Sequence, residues 1–154
     1  MRVAVAFDHR GVKLRARVLA DLVALSHDVV DLGTDDETIR IDYPDKAAEI
    51  GAALTDGRAE RGVLVCGSGV GASVAACKVA GIRAAICHDT YSAHQGVEHD
   101  DMNVLCLGAR VIGIELALEC TRAFLGAQFS GAPRHVRCLN KVLAIEEREL
   151  SRSG

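Results

Sequence analysis

Aromatic residues and proline are scarce in this 154-residue sequence, which has no tryptophan and only two prolines. The scarcity of proline, together with 15 glycines that follow no three-residue period, excludes a collagen-like chain. The hydrophobic fraction of 49% excludes a disordered chain, because it is enough to build a core. A chain of this length buries roughly 70% of its unfolded surface around one core. We therefore predict one domain over residues 1–150, followed by a flexible tail over 151–154.

An excess of positive charge is also missing, since the net charge is -3 at pH 7. Such a chain has no general attraction for nucleic acids, so we expect no nucleic-acid partner and only local anion binding. No hydrophobic run approaches the ~20 residues of a membrane span. The first seven residues are followed at once by Asp8-His9-Arg10, which does not fit a signal peptide. We expect a cytoplasmic protein that does not contact membranes.

Cysteine pairs with CxxC spacing are absent, as are the HExxH and EF-hand spacings of common metal sites. The six cysteines lie mostly in or beside hydrophobic runs, which favours reduced thiols over disulfides. Histidines and acidic residues cluster between positions 88 and 101, but sequence neighbours cannot all turn to one ion. We expect no metal there, and a role as general acid or base for one histidine. His99 is the best candidate, because it lies close to Asn103 at the start of the fifth predicted strand.

Five short hydrophobic runs predict buried strands at residues 3–7, 29–32, 62–66, 82–87 and 104–107. Stretches with helical periodicity separate them, which predicts βαβ units and a parallel sheet covered on both faces. A fifth helix is predicted over residues 114–125, with Gly126 as its C-cap. A last helical pattern follows Pro133 and carries many charges and a single hydrophobic stripe. We expect this C-terminal helix to pack on a neighbouring subunit.

The strongest local motif is Cys66-Gly67-Ser68-Gly69-Val70-Gly71, at the end of the third predicted strand. Its glycines allow a tight turn, and a helix that begins near Gly69 or Val70 leaves backbone N–H groups free to bind an anion. The anion can be a phosphate, a carboxylate or the oxyanion of an enediolate. Cys66 is either a thiolate base or nucleophile, or a small buried residue that ends the strand. Its position alone does not decide between these roles.

A dinucleotide fingerprint competes for the same turn, because Gly67-x-Gly69-x-x-Ala72 is followed by Asp89 at about the expected distance. That motif normally follows the first strand of a fold, however, and here it follows the third. The chain is also too short for a catalytic domain beside a dinucleotide. A phosphate-binding P-loop sequence is absent. We therefore expect no cofactor.

Further polar residues fall where parallel strands end. Asp8 and His9 follow the first strand, at the edge where ligands bind, although an N-cap Asp8 with a solvent-facing His9 is the simpler interpretation. Tyr43 precedes Pro44 at the start of the second helix, and it matters for binding only if it faces the same edge. Basic residues after the fifth strand and at the start of the last helix favour an anionic ligand over surface solvation: Arg110, Arg134 and Arg137.

Together these residues resemble the ribose-5-phosphate isomerase B and galactose-6-phosphate isomerase family of sugar-phosphate isomerases. The resemblance covers nearly the whole chain and rests on the order and spacing of Asp8-His9, Asp42-Tyr43-Pro44, Cys66-Gly67-Ser68-Gly69-Val70-Gly71, Gly81-Ile82-Arg83-Ala84, Glu98-His99, Asn103-Val104-Leu105, Gly108-Ala109-Arg110 and Arg134-His135. It implies a three-layer α/β fold of the Rossmann or flavodoxin type with a five-stranded parallel sheet. It also implies an aldose–ketose isomerase without metal or other cofactor, built as a homodimer or a dimer of dimers with shared active sites.

The resemblance also implies a role for each candidate residue. Cys66 is then the base that moves a proton between C1 and C2 of ribose 5-phosphate to give ribulose 5-phosphate. Ser68 holds the enediolate, and His99, helped by Asp8, opens the furanose ring. The backbone amides that assist Ser68 are those of Gly67, Gly69, Val70 and Gly71. The implied phosphate contacts are His9, Arg110, Arg134 and Arg137, some of them from the neighbouring subunit.

Three positions depart from the family pattern. Asp100 stands where the family has asparagine, and a carboxylate there repels an enediolate unless it points away or is protonated. Cys77 also replaces an asparagine, and Cys138 replaces an arginine four residues after Arg134. Because a helix turns about 100° per residue, Arg137 points away from the place of the missing arginine.

Phosphate affinity and the preferred sugar therefore stay open. A hexose 6-phosphate or another rare sugar is the alternative substrate, because the sequence does not give the depth of the pocket around Tyr43 and Asp100. A non-catalytic phosphate- or nucleotide-binding module is a further alternative, although a binder has no need for the thiol of Cys66.

Overall fold

The computed structural model describes residues 1–152 and 154 as alternating strands and helices. The strands are β1 (Arg2–Phe7), β2 (Asp28–Asp31), β3 (Arg61–Cys66), β4 (Ala84–Ile86) and β5 (Val104–Gly108). The helices are α1 (Val12–Ala24), α2 (Tyr43–Thr55), α3 (Val70–Ala76), α4 (Thr90–Asp100), α5 (Ile114–Gly126) and α6 (Pro133–Arg152). Each predicted strand overlaps an observed one, which confirms the predicted alternation.

All strand pairs of the sheet are parallel, and the strand order is β2-β1-β3-β5-β4. Strands β1, β3 and β5 occupy the centre, and their side chains from Val3 to Phe7, Val63 to Cys66 and Val104 to Leu107 are at most 4% exposed. Burying a valine, leucine or phenylalanine side chain contributes about 1.5–3 kcal/mol, so these strands supply much of the core. Burial on both faces explains why the strands consist of continuous hydrophobic runs.

Helices cover both faces of the sheet. Alternate residues of β1 divide between two clusters, because successive side chains of a strand point to opposite faces. Val3, Val5 and Phe7 pack with buried residues of α1, α4 and α5, whereas Ala4 and Ala6 pack with those of α2 and α3. The predicted three-layer α/β fold with a five-stranded parallel sheet is confirmed.

The bounds of β1, β2, β3 and β5 agree with the prediction to within one residue, whereas β4 is clearly shorter than predicted. Strand β4 covers three residues instead of six, because the chain before it is still in a turn in which the Ile82 amide donates to the Val79 carbonyl oxygen. After β4, the Asp89 side chain accepts a hydrogen bond from the Ser92 amide and caps α4. Helix α5 extends one residue further than predicted and includes Gly126.

The strand order determines where loops gather. The chain leaves β1 for β2 on one side and returns through α2 to β3 on the other, so the order reverses between β1 and β3. In open parallel sheets, ligands bind at the carboxyl ends of the strands at such a reversal. The loops after β1, β3 and β5 lie at this edge, and residues 8–11, 67–69 and 109–113 form what we call the Cys66 edge.

The C-terminal helix α6 lies apart from the three layers and packs on α4. The Gly81 amide donates to the carboxylate of Glu146 at 3.0 Å, which ties the second half of α6 to the turn before β4. A cavity of about 1000 Å³ remains between α6 and the β4 side of the sheet. The helix includes Ser151 and Arg152 of the predicted tail, whose position 153 lies outside the described residues. Across residues 1–152, no helix has the length and hydropathy that a membrane span requires.

Candidate active site

Backbone hydrogen bonds join the three loops of the Cys66 edge. The Asp8 amide donates to the Val65 carbonyl oxygen at 3.1 Å. On the other side, the Ala109 and Arg110 amides donate to the carbonyl oxygens of Cys66 and Gly67 at 2.8 and 2.9 Å. These contacts bring the first residues after β1 and β5 against the end of β3, as the parallel topology predicts.

The turn after β3 depends on close backbone packing. Gly69 has φ = +84°, a left-handed conformation that favours glycine, and it immediately precedes α3. Gly108, at the end of β5, lies so close to the turn that a Cβ atom there would be 2.5 Å from the carbonyl oxygen of Ser68. The turn is therefore held in one place by β5.

Cys66 lies within this turn with 4% of its surface exposed. The Gly69 amide donates a hydrogen bond to its Sγ at 3.1 Å, and the Val70 amide donates to Ser68 Oγ at 3.2 Å. Ser68 itself is exposed. The sulfur thus accepts a backbone N–H group at the edge of the sheet where ligands bind.

Three other thiols are buried in the core. Burial raises the pKa of Cys87 and of Cys120 to about 11, and it also raises the pKa of Cys106 well above its ordinary value. These thiols are protonated at neutral pH and act as small hydrophobic residues. Cys77 and Cys138 are exposed, and all six cysteines are free.

Asp8 is a buried carboxylate that organises the loop after β1. Its Oδ1 accepts hydrogen bonds from the amides of Arg10 and Gly11, both at 2.9 Å. Only 4% of the residue is exposed. The predicted N-cap role of Asp8 is wrong, because the N-cap of α1 is Gly11 and no side chain caps that helix. Asp8 instead holds the turn before α1, and its catalytic role stays a prediction.

His9 and Tyr43 connect the loop before α2 to the Cys66 edge. The Ile41 amide donates to Nδ1 of His9 at 3.1 Å, so the ring is half-buried rather than free in solvent. The Tyr43 ring covers Gly71, where a Cβ atom would be 2.6 Å from the ring carbon Cζ. Tyr43 therefore faces the same edge as Cys66, which is the condition for a role in binding.

His99 contacts a second histidine, His135, for which the sequence predicts no role. The side-chain amide of Gln95, one helical turn earlier, lies 2.9 Å from Nδ1 of His99. The His99 ring stacks on that of His135 in α6, with ring centroids 3.9 Å apart and an angle of 26° between the planes. His135 is 8% exposed, and its Nδ1 lies 2.5 Å from Ser130 Oγ. Burial, and then the nearby His99 and Arg134, lower the pKa of His135.

A further histidine supports the end of β5. Nε2 of His88 accepts a hydrogen bond from the Gly108 amide at 2.9 Å. Burial lowers the pKa of His88, which favours the neutral ring that this hydrogen bond needs. His88 is thus a structural residue of the Cys66 edge.

The remaining predicted residues lie on α4 and α6. Arg134, Arg137 and Cys138 are exposed on the first two turns of α6, and no hydrogen bond or ion pair within residues 1–152 joins them to the Cys66 turn. Asp100, the last residue of α4, is exposed and lines the cavity beside α6. A single chain therefore does not bring these four residues onto Cys66. The described residues contain no group of three or more histidine, cysteine and acidic side chains with the geometry of a metal site.

Comparison with known proteins identifies the family. The family model described as Ribose/Galactose Isomerase matches residues 3–142. The chain is 43% identical to ribose-5-phosphate isomerase B of Escherichia coli, over 96% of this chain and 97% of that protein. It is 40% identical to the D-erythrulose-4-phosphate isomerase of Pectobacterium atrosepticum, over 85% of this chain and 86% of that protein.

A solved structure is also similar to the chain over almost its full length. Ribose-5-phosphate isomerase B of Clostridium thermocellum superimposes with a TM-score of 0.92 at 38% identity, covering 97% of this chain and 99% of that one. The fold, the order of the motifs and these likenesses agree. The chain belongs to the ribose/galactose isomerase family of sugar-phosphate isomerases.

Proposed function

We propose that the protein interconverts ribose 5-phosphate and ribulose 5-phosphate, with Cys66 as the base of a metal-independent proton shift. The observation that carries this proposal is the hydrogen bond from the Gly69 amide to Cys66 Sγ at 3.1 Å, in a turn at the carboxyl edge of the sheet. The E. coli relative named a ribose-5-phosphate isomerase supports the choice of a pentose phosphate. The presence of a thiol in the anion-binding turn argues against a module that only binds phosphate or a nucleotide.

The reaction needs a base beside C2 of the open-chain sugar. The Cys66 thiolate takes the proton from C2, the remaining electron pair forms the C1=C2 bond, and O1 becomes an oxyanion. Ser68 and the turn amides stabilise this enediolate, and loss of one such donor typically lowers turnover by about 10²–10³-fold. A proton then passes from O2 to O1, and the thiol returns its proton to C1, which completes the ketose.

His99 has the role of opening the furanose ring before this step. When Nδ1 accepts the Gln95 amide, Nε2 carries the proton that the ring oxygen must receive. The stack on His135 limits rotation of the His99 ring, so that the proton is presented in one direction. Asp8 assists by holding the loop after β1 in place.

We further propose that two copies of the chain form a dimer, or a dimer of dimers, that completes the phosphate site. His9 and Arg110 lie at the Cys66 edge, whereas Arg134, Arg137 and Cys138 would come from α6 of the neighbouring subunit. Support comes from the hydrophobic side chains that α6 leaves exposed, among them Val142 and Ile145 at 50% and 53%. Six free cysteines agree with a cytoplasmic location.

A shorter sugar phosphate is the second candidate substrate. The relative from P. atrosepticum is named a D-erythrulose-4-phosphate isomerase, and it is almost as similar to this chain as the E. coli protein. A hexose 6-phosphate is a third candidate, since the family description includes galactose isomerases. Comparing kcat/KM for tetrose, pentose and hexose phosphates will identify the substrate.

The decisive test is conversion of ribose 5-phosphate by purified protein in the presence of a chelator. We expect turnover to survive chelation and to fall by at least about 10³-fold in Cys66→Ala, because the base is lost. Cys77→Ser, which changes an exposed thiol outside the turn, is the matched control and should retain activity. Turnover by Cys66→Ala at the wild-type rate would contradict the proposed mechanism.

A further inference from the structure

Arg10, which none of the predicted roles includes, lies directly on the Gly-rich turn. A Cβ atom on Gly67 would be 3.0 Å from Cδ of Arg10 and 3.7 Å from its Cβ. The same point would be 3.7 Å from Cδ of Arg110. The two arginine side chains therefore run along the first residue of the turn that follows Cys66, one from the loop after β1 and one from the loop after β5.

Neither guanidinium group has a partner in the part of the chain that the structure describes. Within residues 1–152, no hydrogen bond or ion pair reaches the side chain of Arg10 or Arg110, and both residues are exposed. Arg15, five residues after Arg10, is by contrast paired with Asp31, which raises the pKa of that arginine. The carboxylate nearest in sequence, Asp8, uses Oδ1 for backbone amides.

The stems of two positively charged side chains therefore meet beside Gly67, and an anion bound by both guanidinium groups would offset the repulsion between their charges. The loops that carry Arg10 and Arg110 are hydrogen-bonded through their backbones to the end of β3, which brings both side-chain stems beside Gly67. Guanidinium groups bind phosphate with paired, charge-assisted hydrogen bonds. The site is thus suited to a phosphate monoester rather than to a single carboxylate from the protein.

We propose that Arg10 is a phosphate-binding residue that acts together with Arg110 at the Cys66 edge. This inference rests on the proposed function, because it takes the ligand to be the phosphate end of the sugar phosphate whose carbon chain lies beside Cys66. Arg10 binds a group remote from the reacting carbons, so it contributes equally to the bound substrate and to the transition state. Its loss therefore raises KM and leaves kcat nearly unchanged.

The test compares Arg10→Ala, Arg10→Lys and wild type in steady-state kinetics with ribose 5-phosphate. For Arg10→Ala we expect KM, and the inhibition constant of inorganic phosphate, to rise by about tenfold, with kcat within about twofold of wild type. Arg10→Lys should lie between the two, since it keeps the charge but loses the paired donors. Arg17→Ala is the matched control, because Arg17 is an exposed arginine of α1 that pairs with Glu115 away from the edge.

A binding measurement separates failure of this inference from failure of the proposed function. Calorimetric titration of the wild type and Arg10→Ala with inorganic phosphate needs no turnover. One possible result is that ribose 5-phosphate is not converted, but phosphate binds the wild type about tenfold more tightly than Arg10→Ala. This result would support phosphate binding by Arg10 and would contradict ribose 5-phosphate as the substrate. Equal phosphate affinity in the two proteins, or a fall in kcat with unchanged KM, would overturn the role of Arg10.

Discussion

The Cys66 edge and the C-terminal helix α6 represent two different ways of placing functional groups. At the Cys66 edge, backbone hydrogen bonds within one chain join three loops and hold the thiol against the Gly69 amide. In α6, Arg134 and Arg137 are exposed, and so are hydrophobic side chains such as that of Ile145. The fold of a single chain thus positions the Cys66 thiol, the proposed base, whereas the surroundings of the basic residues of α6 depend on what packs against that helix.

Gly108→Ala should break the Cys66 edge and has the largest expected effect among the changes that test this comparison. The new methyl group would lie 2.5 Å from the Ser68 carbonyl oxygen. This oxygen belongs to the backbone, so it cannot avoid the clash by a change of side-chain rotamer. We expect turnover to fall by about 10²-fold, because the turn amides move, and the free energy of unfolding to fall by about 1–3 kcal/mol. Enzyme assay and urea unfolding measure the two effects.

Gly113→Ala is the control for that change, because no atom lies within 4 Å of the position that its Cβ atom would occupy. Gly113 follows β5 by five residues. We expect the Gly113→Ala variant to have activity and stability close to those of the wild type. If both variants lost activity and stability equally, the loss in Gly108→Ala would not be due to the contact with Ser68. The cause would then be that the chain at the end of β5 and after it tolerates no added side chain.

Ile145→Asp tests whether a second copy of the chain packs on α6. Ile145 is 53% exposed in the single chain, so a charge there should leave the monomer folded and should prevent a second copy from covering the helix. We expect dissociation of the oligomer and a fall in activity of about tenfold, since Arg134 and Arg137 no longer reach the phosphate. Light scattering after gel filtration and enzyme assay detect the two changes.

Val23→Asp is the matched control for Ile145→Asp. Val23 is 65% exposed on α1. Its substitution should change neither the mass of the oligomer in solution nor the enzyme activity. A dimer that persists in Ile145→Asp would contradict the assignment of α6 to the interface, while the Cys66 edge would be unaffected.

The His99–His135 stack connects the two regions, and its pH dependence gives the smallest of these effects. The folded protein lowers the pKa of His135, so below the ordinary value near 6.5 the unfolded chain binds the proton more readily. Stability contributed by the neutral ring is therefore lost as pH falls from about 6.5 toward the lowered pKa. His135→Phe keeps the stack but cannot be protonated, and it should unfold with a weaker pH dependence between pH 7 and 5.

Thermal unfolding across that pH range checks the expectation. The exposed His94, which lies on α4 beside Glu98, provides a control as His94→Gln. Since His88 also has a lowered pKa, some acid sensitivity should persist in His135→Phe. An unchanged pH profile in His135→Phe would show that the stacked ring does not titrate differently in the folded protein.

Local patterns in the sequence were enough to predict the elements and the position of the thiol. The hydrophobic run that ends at Cys66, followed by three glycines, is a local signal for a strand, a turn and a helix, and each was found within one or two residues. Strand β4 was predicted too long, because the hydrophobic side chain of Ile82 is buried in a turn as completely as in a strand. Periodicity cannot separate these two cases in a short run.

The sequence by itself determined the layered α/β fold and the grouping of Asp8, Cys66 and Arg110 at one edge, because parallel strands with short loops leave their carboxyl ends side by side. Only the tertiary structure decided that His135 stacks on His99, 36 positions away in the sequence, and that Arg10 lies against Gly67. The contact between Gln95 and His99 was predictable from the sequence, because residues four apart on one helix lie side by side. The other two contacts depend on how separate helices and loops dock, and docking is governed by packing between distant segments that no local pattern records.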